Sequence, residues 1–178
     1  MLSRFDNDTY KGNKEELSLV DLIGEQVETV KVIDDSKKVE FENSLEDGGM
    51  IISDRKLLIR IIQNLLSNAI KYANSKVKIV AHTVRDDENV GVSEDVGASS
   101  ASPRTGELCE PHYTISVIDD GDGIDSKNID NIFTRYYKGE DGHFGIGLAV
   151  VKSSVDYLGG KIEVNSEKGE GTTFKVIL

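Results

Sequence analysis

Residues 63–72 read Gln-Asn-Leu-Leu-Ser-Asn-Ala-Ile-Lys-Tyr, and they end the strongest helical pattern in the 178-residue chain. Across 54–72, apolar residues recur every three or four positions, which is the period of a helix that buries one face. They are Leu57, Leu58, Ile61, Ile62, Leu65, Leu66, Ala69 and Ile70. Ser53 or Asp54 can cap the start of this helix. The pattern predicts a long amphipathic helix packed against a core.

One flank of this helix carries the polar residues Asn64, Asn68, Lys71 and Tyr72. Intervals of three and four residues place side chains one above another on a helix, so these side chains lie beside the apolar face. Two amides, an ammonium group and an aromatic ring suit a metal ligand, a phosphate contact and a surface for a nucleotide. An ordinary solvated helix flank has the same composition, so this flank alone leaves both interpretations open.

Shorter patterns around the helix predict the class of fold. Helical spacing is found over 17–32 and in a last helix that starts near Gly145 and stops at Gly159. Strand patterns are found at 39–44, 50–53, 77–81, 113–117, 161–166 and 172–178. An Asp-Gly-Gly turn predicts that the first two strands form a hairpin, and the strands at 161–166 and 172–178 are expected to close the chain as another hairpin. Hairpins without regular strand–helix alternation predict an α+β fold, with a mixed sheet and helices on one face.

Two segments lack these patterns. Residues 1–16 are polar, and we expect a linker or the end of a preceding helix there. Residues 85–111 are rich in Asp, Glu, Gly and Ser, and we expect a flexible hairpin connection.

Composition limits the classes of function. Lys and Arg total 21 against 32 Asp and Glu, so the formal net charge is −11. Such an acidic surface argues against binding to nucleic acid or to an anionic membrane. Cys109 is the only cysteine, so no intrachain disulfide can form and a reducing compartment is expected. No stretch reaches the roughly 18 apolar residues that span a bilayer, and we expect a cytoplasmic domain.

Two glycine-rich segments carry further candidate chemistry. Residues 119–124 read Asp-Asp-Gly-Asp-Gly-Ile directly after a predicted strand. A carboxylate there can accept a hydrogen bond from an adenine amine, although a calcium loop without its final Glu has a similar sequence. Residues 142–148 read Gly-His-Phe-Gly-Ile-Gly-Leu before the last helix, where N-terminal amides favour phosphate. Just upstream, Arg135 and Lys138 are candidates to approach a triphosphate or are part of a solvated basic turn.

These segments, taken in order, resemble the ATP-binding catalytic domain of sensor histidine kinases, in the GHKL superfamily. The N box, first glycine box, F box, second glycine box and closing Gly-Thr-x-Phe strand of that family resemble residues 54–72, 119–124, 132–138, 142–148 and 169–174. The resemblance covers about 17–178. It implies the Bergerat-type fold, a two-layer α/β sandwich whose mixed, mostly antiparallel sheet of about five strands carries three main helices on one face.

The resemblance also implies that the chain binds ATP or ADP and Mg²⁺. Asn68 would ligate the magnesium ion with support from Asn64, and Asp119 would accept from the adenine amine. The residues expected to act on the transferred phosphoryl group are Asn64, Lys71, Arg135 and Lys138. The residues expected to bind the nucleotide are Asn68, Lys71, Tyr72, Asp119, Gly121, Gly123, Ile124, Tyr137, Gly145, Ile146, Gly147, Leu148 and Thr172.

Two absences shape the reaction that the resemblance implies. Hydrolytic members of the superfamily carry a Glu four residues before the magnesium Asn, whereas this chain has Asn64, which cannot take a proton from water. None of His82, His112 and His143 lies in a His-Glu-x-x-x-Pro setting. The chain is therefore expected to give its phosphoryl group to a histidine on a separate dimerisation domain of the same kinase, which then serves a response regulator. The parent is expected to be a membrane-anchored sensor. A nucleotide-sensing or partner-docking module of the same fold is the alternative.

Overall fold

The structure, a computed structural model, describes residues 10–33, 36–85, 112–138 and 144–178. The helices are α1 (Leu19–Ile33), α2 (Arg55–Tyr72), α3 (Ser126–Ile129) and α4 (Gly147–Leu158). The strands are β1 (Lys14–Ser18), β2 (Lys38–Ser44), β3 (Met50–Asp54), β4 (Lys76–Val84), β5 (His112–Asp119), β6 (Tyr137–Lys138), β7 (Phe144–Gly145), β8 (Lys161–Glu167) and β9 (Gly171–Ile177).

Five strands form the main sheet, in the spatial order β2-β4-β5-β9-β8. β2 runs parallel to β4, and the other neighbouring pairs are antiparallel. Alternate residues of β4 and β5 are buried, for example Ile79 opposite Val117, so one face of the sheet supplies the core. Helices α1, α2 and α4 pack against this sheet. The predicted α+β fold with a mixed, mostly antiparallel five-stranded sheet is confirmed.

Helix α2 joins the sheet to the other helices. Its buried side chains come from the predicted apolar face, and each is at most 2% exposed: Leu57, Leu58, Ile61, Ile62, Leu65, Leu66 and Ala69. Burying one Leu or Ile stabilises a fold by roughly 1.5–3 kcal/mol, so tertiary packing holds this helix in place. Asp54 caps its start by accepting from the N–H groups of Lys56 and Leu57 at 3.0 and 3.1 Å, as predicted.

The hairpin predicted for 39–44 and 50–53 is wrong. β2 pairs with β4 in the main sheet, whereas β3 pairs with β1 in a separate two-stranded sheet. Between them, a short 3-10 helix and the left-handed residues Asp47 (φ 48°) and Gly49 (φ 62°) redirect the chain. The N–H of Leu19 donates to the Gly49 carbonyl at 3.1 Å. An Asp-Gly-Gly sequence permits several such turns, so it does not by itself make a hairpin.

Element boundaries also differ from the predicted ones at both ends of the chain. The linker or helix end predicted for 1–16 includes strand residues, because Lys14–Ser18 pairs with β3 and Glu16 lies opposite Ile52. β1 is exposed over its first three residues, so it lacks the alternation that marks a half-buried strand. The last helix begins at Gly147 rather than near Gly145.

The chain before β1 is fastened to α2 and α4 by an N-terminal clasp, formed by Tyr10, Asp54 and Tyr157. The Asp54 carboxylate, 2% exposed, accepts from the Tyr10 hydroxyl at 3.0 and 3.1 Å and from the Asn13 N–H at 2.8 Å. The Tyr157 hydroxyl accepts from the Gly12 N–H at 3.2 Å and donates to the Tyr10 carbonyl at 3.1 Å. Burial raises the pKa of Asp54, but its hydrogen bonds outweigh burial and leave that pKa below its ordinary value.

The connection predicted at 85–111 joins two strands that do pair antiparallel, since β4 lies beside β5. Residues 86–111, including Cys109, lie outside the described residues. Among the residues that are described, no helix has the length and apolar character needed to cross a membrane.

Replacing Asp54 with Ala should lower the free energy of unfolding by about 2–4 kcal/mol, because it removes a helix cap and leaves the part-buried Tyr10 hydroxyl and Asn13 N–H without their acceptor. Asp21→Ala, at an exposed position in the first turn of α1, is the control and should cost about 0.5 kcal/mol or less. Urea unfolding measures both. The Asp54 contribution exists above the pKa of the unfolded side chain, about 3.9, and is lost as the pH falls through the depressed folded-state pKa. Equal losses in the two variants would contradict this role.

Candidate functional site

A row of polar side chains crosses the end of the main sheet. Asp119 of β5 lies between Val77 of β4 and Thr172 of β9 in the strand register. Thr172 in turn lies opposite Ser166 of β8. Directly opposite residues point to the same face, and buried Val77 belongs to the face that packs in the core. Asp119, Thr172 and Ser166, which we call the polar row, therefore stand where the rest of this face carries apolar side chains.

Asp119 is the buried carboxylate of the polar row. It is 6% exposed at the last position of β5. Its Oδ1 accepts from the Gly121 N–H at 3.0 Å, and the backbone of Thr172 also donates to the carboxylate. Burial raises the pKa of Asp119, and these two hydrogen bonds only partly offset that effect. Asp119 thus presents a poorly solvated acceptor to any ligand that reaches the end of the sheet.

The next carboxylate, Asp120, has a structural role instead. It accepts from the N–H groups of Asn74, Ser75 and Lys76, each at 3.0 Å, and from the Ser75 hydroxyl at 2.6 Å. The Ser75 hydroxyl and these N–H groups hold the pKa of Asp120 well below its usual range. Successive residues of an extended chain point to opposite sides. Asp120 therefore fixes the turn between α2 and β4, while Asp119 remains available to a ligand.

The loop after Asp119 is pressed against its neighbours too closely for side chains. A Cβ atom on Gly121 would lie 2.2 Å from the Tyr72 carbonyl oxygen at the end of α2. Gly123 has a φ of 71°, and a Cβ atom there would lie 2.0 Å from the Glu167 carbonyl oxygen. Both positions therefore require glycine, because any side chain would collide with these carbonyl oxygens. Gly123 also has a backbone conformation that other residues rarely adopt.

Ser166 connects this loop to the β8–β9 hairpin, and the sequence pattern did not single it out. Its hydroxyl oxygen lies 2.8 Å from the Ile124 N–H nitrogen, 2.8 Å from the Gly171 carbonyl oxygen and 3.0 Å from the Thr172 hydroxyl. The one sequence signal was its place across the predicted hairpin from Thr172. The predicted site residues Ile124 and Thr172 therefore meet through Ser166.

The polar flank of α2 faces the start of α4. The Asn64 side-chain N–H donates to the Arg60 carbonyl at 2.7 Å, so the amide oxygen is left for other partners. A Cβ atom on Gly147 would lie only 2.8 Å from that oxygen. Asn68, one turn further along α2, is half-buried. Within the described parts of the chain, the Asn68 amide forms no side-chain hydrogen bond.

Lys71 and Tyr72 lie at the C-terminal end of α2, beside the loop that follows Asp119. The Lys71 ammonium donates to the Tyr72 hydroxyl at 3.1 Å and lies 4.8 Å from the centre of its ring. Both side chains are exposed, and the Tyr72 carbonyl touches Gly121. An exposed cation therefore lies next to the glycine loop, where it adds positive charge to an otherwise acidic chain.

The start of α4 supplies backbone donors. α4 begins at Gly147, with the Val150 N–H donating to the Ile146 carbonyl at 3.0 Å. The first N–H groups of a helix have no partner within the helix and favour anions. Leu148 packs against the core, whereas Ile146 is 38% exposed. Leu148 therefore anchors the first turn of α4 to the core, while the exposed Ile146 leaves the start of the helix, where the phosphate site is expected, open to solvent.

The segment between α3 and α4 holds the remaining predicted residues. β6 pairs antiparallel with β7, which places Tyr137 opposite Gly145 and Lys138 in the next pair. The sequence pattern did not predict this ladder. Arg135 is exposed. Residues 139–143 lie outside the described residues. The backbone pairing places Lys138 opposite Phe144 in the second glycine segment, whereas Arg135 precedes the ladder by two residues.

A family model described as "Histidine kinase-, DNA gyrase B-, and HSP90-like ATPase" matches residues 53–178, which include α2, α4 and the polar row. The chain belongs to this family. Sensor histidine kinase WalK of Bacillus subtilis (strain 168) is 30% identical over 187 aligned positions, covering 99% of this chain and 26% of WalK. Aerobic respiration control sensor protein ArcB of Escherichia coli (strain K12) is 33% identical over 135 positions, covering 72% of this chain and 14% of ArcB. The chain thus spans about a quarter or less of these relatives.

Solved structures of histidine kinases share the fold. The catalytic domain of histidine kinase ThkA matches with a TM-score of 0.68 at 20% identity, covering 93% of this chain and 95% of that one. Full-length ShkA, in complex with AMPPNP, matches with a TM-score of 0.70 at 22% identity, covering 94% of this chain and 31% of that one. Within the family, this chain is of the type found in protein-histidine kinases, and family membership implies ATP binding.

The α2 flank of this histidine kinase-like ATPase domain fits a magnesium ion. Among the described residues, no three His, Cys, Asp or Glu side chains cluster to hold a metal. Mg²⁺ instead suits a site with one or two protein oxygens, because it keeps several waters and shares phosphate oxygens. The Asn68 amide offers such an oxygen, and Asn64 lies one turn before it on the same flank.

Replacing Asp119 with Asn should weaken ATP binding at least tenfold, because an acceptor that is charged becomes an amide. The same change should raise the melting temperature of the free domain at pH 7, because it removes a poorly solvated charge from the folded state. Each kcal/mol gained in the free energy of unfolding corresponds to a rise of about 2–4 °C. A raised folded-state pKa means that the contribution of Asp119 to stability is best below its unfolded pKa and is lost as the pH rises through the folded-state pKa. The difference in melting temperature between the Asn variant and the parent chain should therefore vanish at acidic pH, where Asp119 is protonated.

Asp122→Asn is the matched control, since Asp122 is an exposed carboxylate in the same loop. Calorimetry and thermal unfolding measure the two effects. Unchanged ATP affinity in the Asp119 variant would exclude Asp119 as the adenine acceptor.

Proposed function

We propose that this chain binds Mg-ATP and donates the γ-phosphoryl group to a histidine on a separate dimerisation domain of the same kinase. This proposal is supported chiefly by the position of Asn64 on α2, whose amide lies close to Gly147 at the start of α4. The same helix α2 ends eight residues later, about 12 Å along its axis, against the loop that follows Asp119. A single ligand can therefore meet an acceptor for its base at one end and donors for its phosphates at the other.

In this proposal, Asn68 supplies the protein oxygen for Mg²⁺, with Asn64 beside it. When bound, the ion would offset charge on the phosphates. The N–H groups at the start of α4 and the cations Lys71, Arg135 and Lys138 would hold the triphosphate. In a chain with net charge −11, such local donors are needed to attract an anion.

The reaction we propose is transfer rather than hydrolysis. Hydrolysis needs a group that takes a proton from water, and Asn64 is a neutral amide that cannot act as this base; one of its two N–H groups donates to the Arg60 carbonyl. Bound ATP would therefore persist until a histidine is presented. We place this reaction in the cytoplasm, with a response regulator as the indirect partner.

Mixing the chain with a purified dimerisation domain and γ-labelled ATP should place label on histidine, in a bond stable to base and labile to acid. Asn68→Ala should lower magnesium-dependent labelling at least tenfold while ADP binding without metal persists, because only the metal ligand is lost. Ser67→Ala, at the neighbouring exposed position of α2, should label normally. If the unaltered chain binds ATP yet labels no histidine, a nucleotide-sensing module is the better description.

The isolated chain should leave ATP intact during long incubation, because it lacks a base for water. Phosphate release, measured by a coupled assay, should stay far below the ~1 per second that is common for enzymes. Asn64→Glu is the informative variant, and we expect at most a modest rise in hydrolysis. Steady release at enzyme-like rates by the unaltered chain would overturn the transfer mechanism.

A further inference from the structure

The hydroxyl group of Ser166 uses its full hydrogen-bonding capacity. A serine hydroxyl has one proton and two lone pairs. The Gly171 carbonyl, 2.8 Å from Ser166 Oγ, can only accept, whereas the Ile124 N–H, also at 2.8 Å, can only donate. The Ser166 proton must therefore point to Gly171, since two acceptor oxygens at this distance would otherwise repel each other.

This assignment fixes the third contact of Ser166. Thr172 Oγ1 lies 3.0 Å from Ser166 Oγ, and geometry alone allows either hydroxyl to be the donor. Because the only Ser166 proton is committed to Gly171, the Thr172 hydroxyl must donate to the second lone pair of Ser166. The proton of Thr172 then points away from Asp119, its other neighbour in the polar row.

We propose that Ser166 is a positioning residue that sets the base specificity of the nucleotide site, by holding the Thr172 hydroxyl as an acceptor beside the Asp119 carboxylate. This inference rests on the proposed ATP site. Two adjacent acceptors match the exocyclic amine of adenine, which has two N–H donors. The same two acceptors would repel the carbonyl oxygen that hypoxanthine and guanine carry at this ring position.

Because the polar row is buried, the orientation of its acceptors can discriminate between bases. Asp119 and Thr172 are each 6% exposed, so water can replace a mismatched partner only with difficulty, and an acceptor that faces another acceptor is costly. A hydroxyl that could rotate would instead donate to a carbonyl oxygen and accept from an amine, and it would discriminate poorly. Ser166 removes that freedom.

Ser166 also anchors the Ile124 N–H, and this structural contact predicts a different result. Loss of the loop anchor would weaken all purine nucleotides alike, whereas loss of the Thr172 orientation changes the ratio of their affinities. ATP and ITP are the suitable pair, because ITP replaces the adenine amine with a carbonyl and lacks the extra amine of guanine. The ratio of their dissociation constants separates the two roles.

In calorimetric titrations with Mg²⁺, Ser166→Ala should lower the preference for ATP over ITP by about fivefold, the worth of one hydrogen bond. Ser166→Thr retains the hydroxyl and should keep the parental preference within about twofold. Ser116→Ala removes a hydroxyl from the opposite face of β5 and should leave the preference unchanged. Thr172→Val should lower the preference as Ser166→Ala does. If the Ala variant fails to fold, an unchanged preference in Thr172→Val would still overturn the inference, because Ser166 is proposed to act through the Thr172 hydroxyl.

A double-mutant cycle completes the test. If Ser166 acts through Thr172, Ser166→Ala should have no further effect on the ATP-to-ITP ratio once Thr172 is Val. Equal weakening of both nucleotides in Ser166→Ala, or an undiminished change of the ratio in the Thr172→Val background, would overturn the inference. A parent chain that binds neither nucleotide would instead overturn the proposed function on which it rests.

Discussion

The apolar face of α2 packs against the main sheet, and this packing sets the orientation of the side chains at the candidate site. Leu65 and Leu66 are fully buried, so the rotation of α2 about its axis is fixed by the core. Because Asn64 and Asn68 lie on the flank of the same turns, that rotation also fixes where their amides point. A rotation by one residue, about 100°, would carry the amides away from α4 and bring polar groups into the core. The geometry of the site is thus a consequence of hydrophobic packing.

Local patterns predicted the parts of the fold that are determined locally. The period and cap of α2, the stop at Gly159 and the β8–β9 hairpin all follow from short stretches of sequence, and the structure has them. The partners of β2 and β3 could not be predicted, because pairing across the sheet depends on residues far apart in sequence. The β6–β7 ladder could not be predicted either, because strands of two residues are too short to show a periodic pattern.

The candidate site shows the same division. The resemblance singled out Asp119 and the following glycines, and the structure places them together at the end of the main sheet. The different environments of Asp119 and Asp120 were not predicted, since the two side chains are chemically identical. Only the structure shows that one is desolvated with a raised pKa and the other is bound by Ser75 with a lowered pKa. The position of Ser166 is a further case, because its role depends on the direction of a hydroxyl.

Beyond the packing of their apolar side chains in the core, α2 and α4 also approach each other at two polar positions. Asn64 approaches Gly147 at one end, while the clasp joins Asp54 and Tyr157 through Tyr10 at the other. Ten residues separate Asp54 from Asn64 along α2 and Gly147 from Tyr157 along α4, about 15 Å in each case, so the two helices run in opposite directions with equal spacing between these positions. A displacement along their axes would break both contacts together. The chain that precedes β1 is therefore held by the same pair of helices that carries Asn64, Asn68 and the N–H groups at the start of α4, so the N-terminal segment and the candidate site share one helical support.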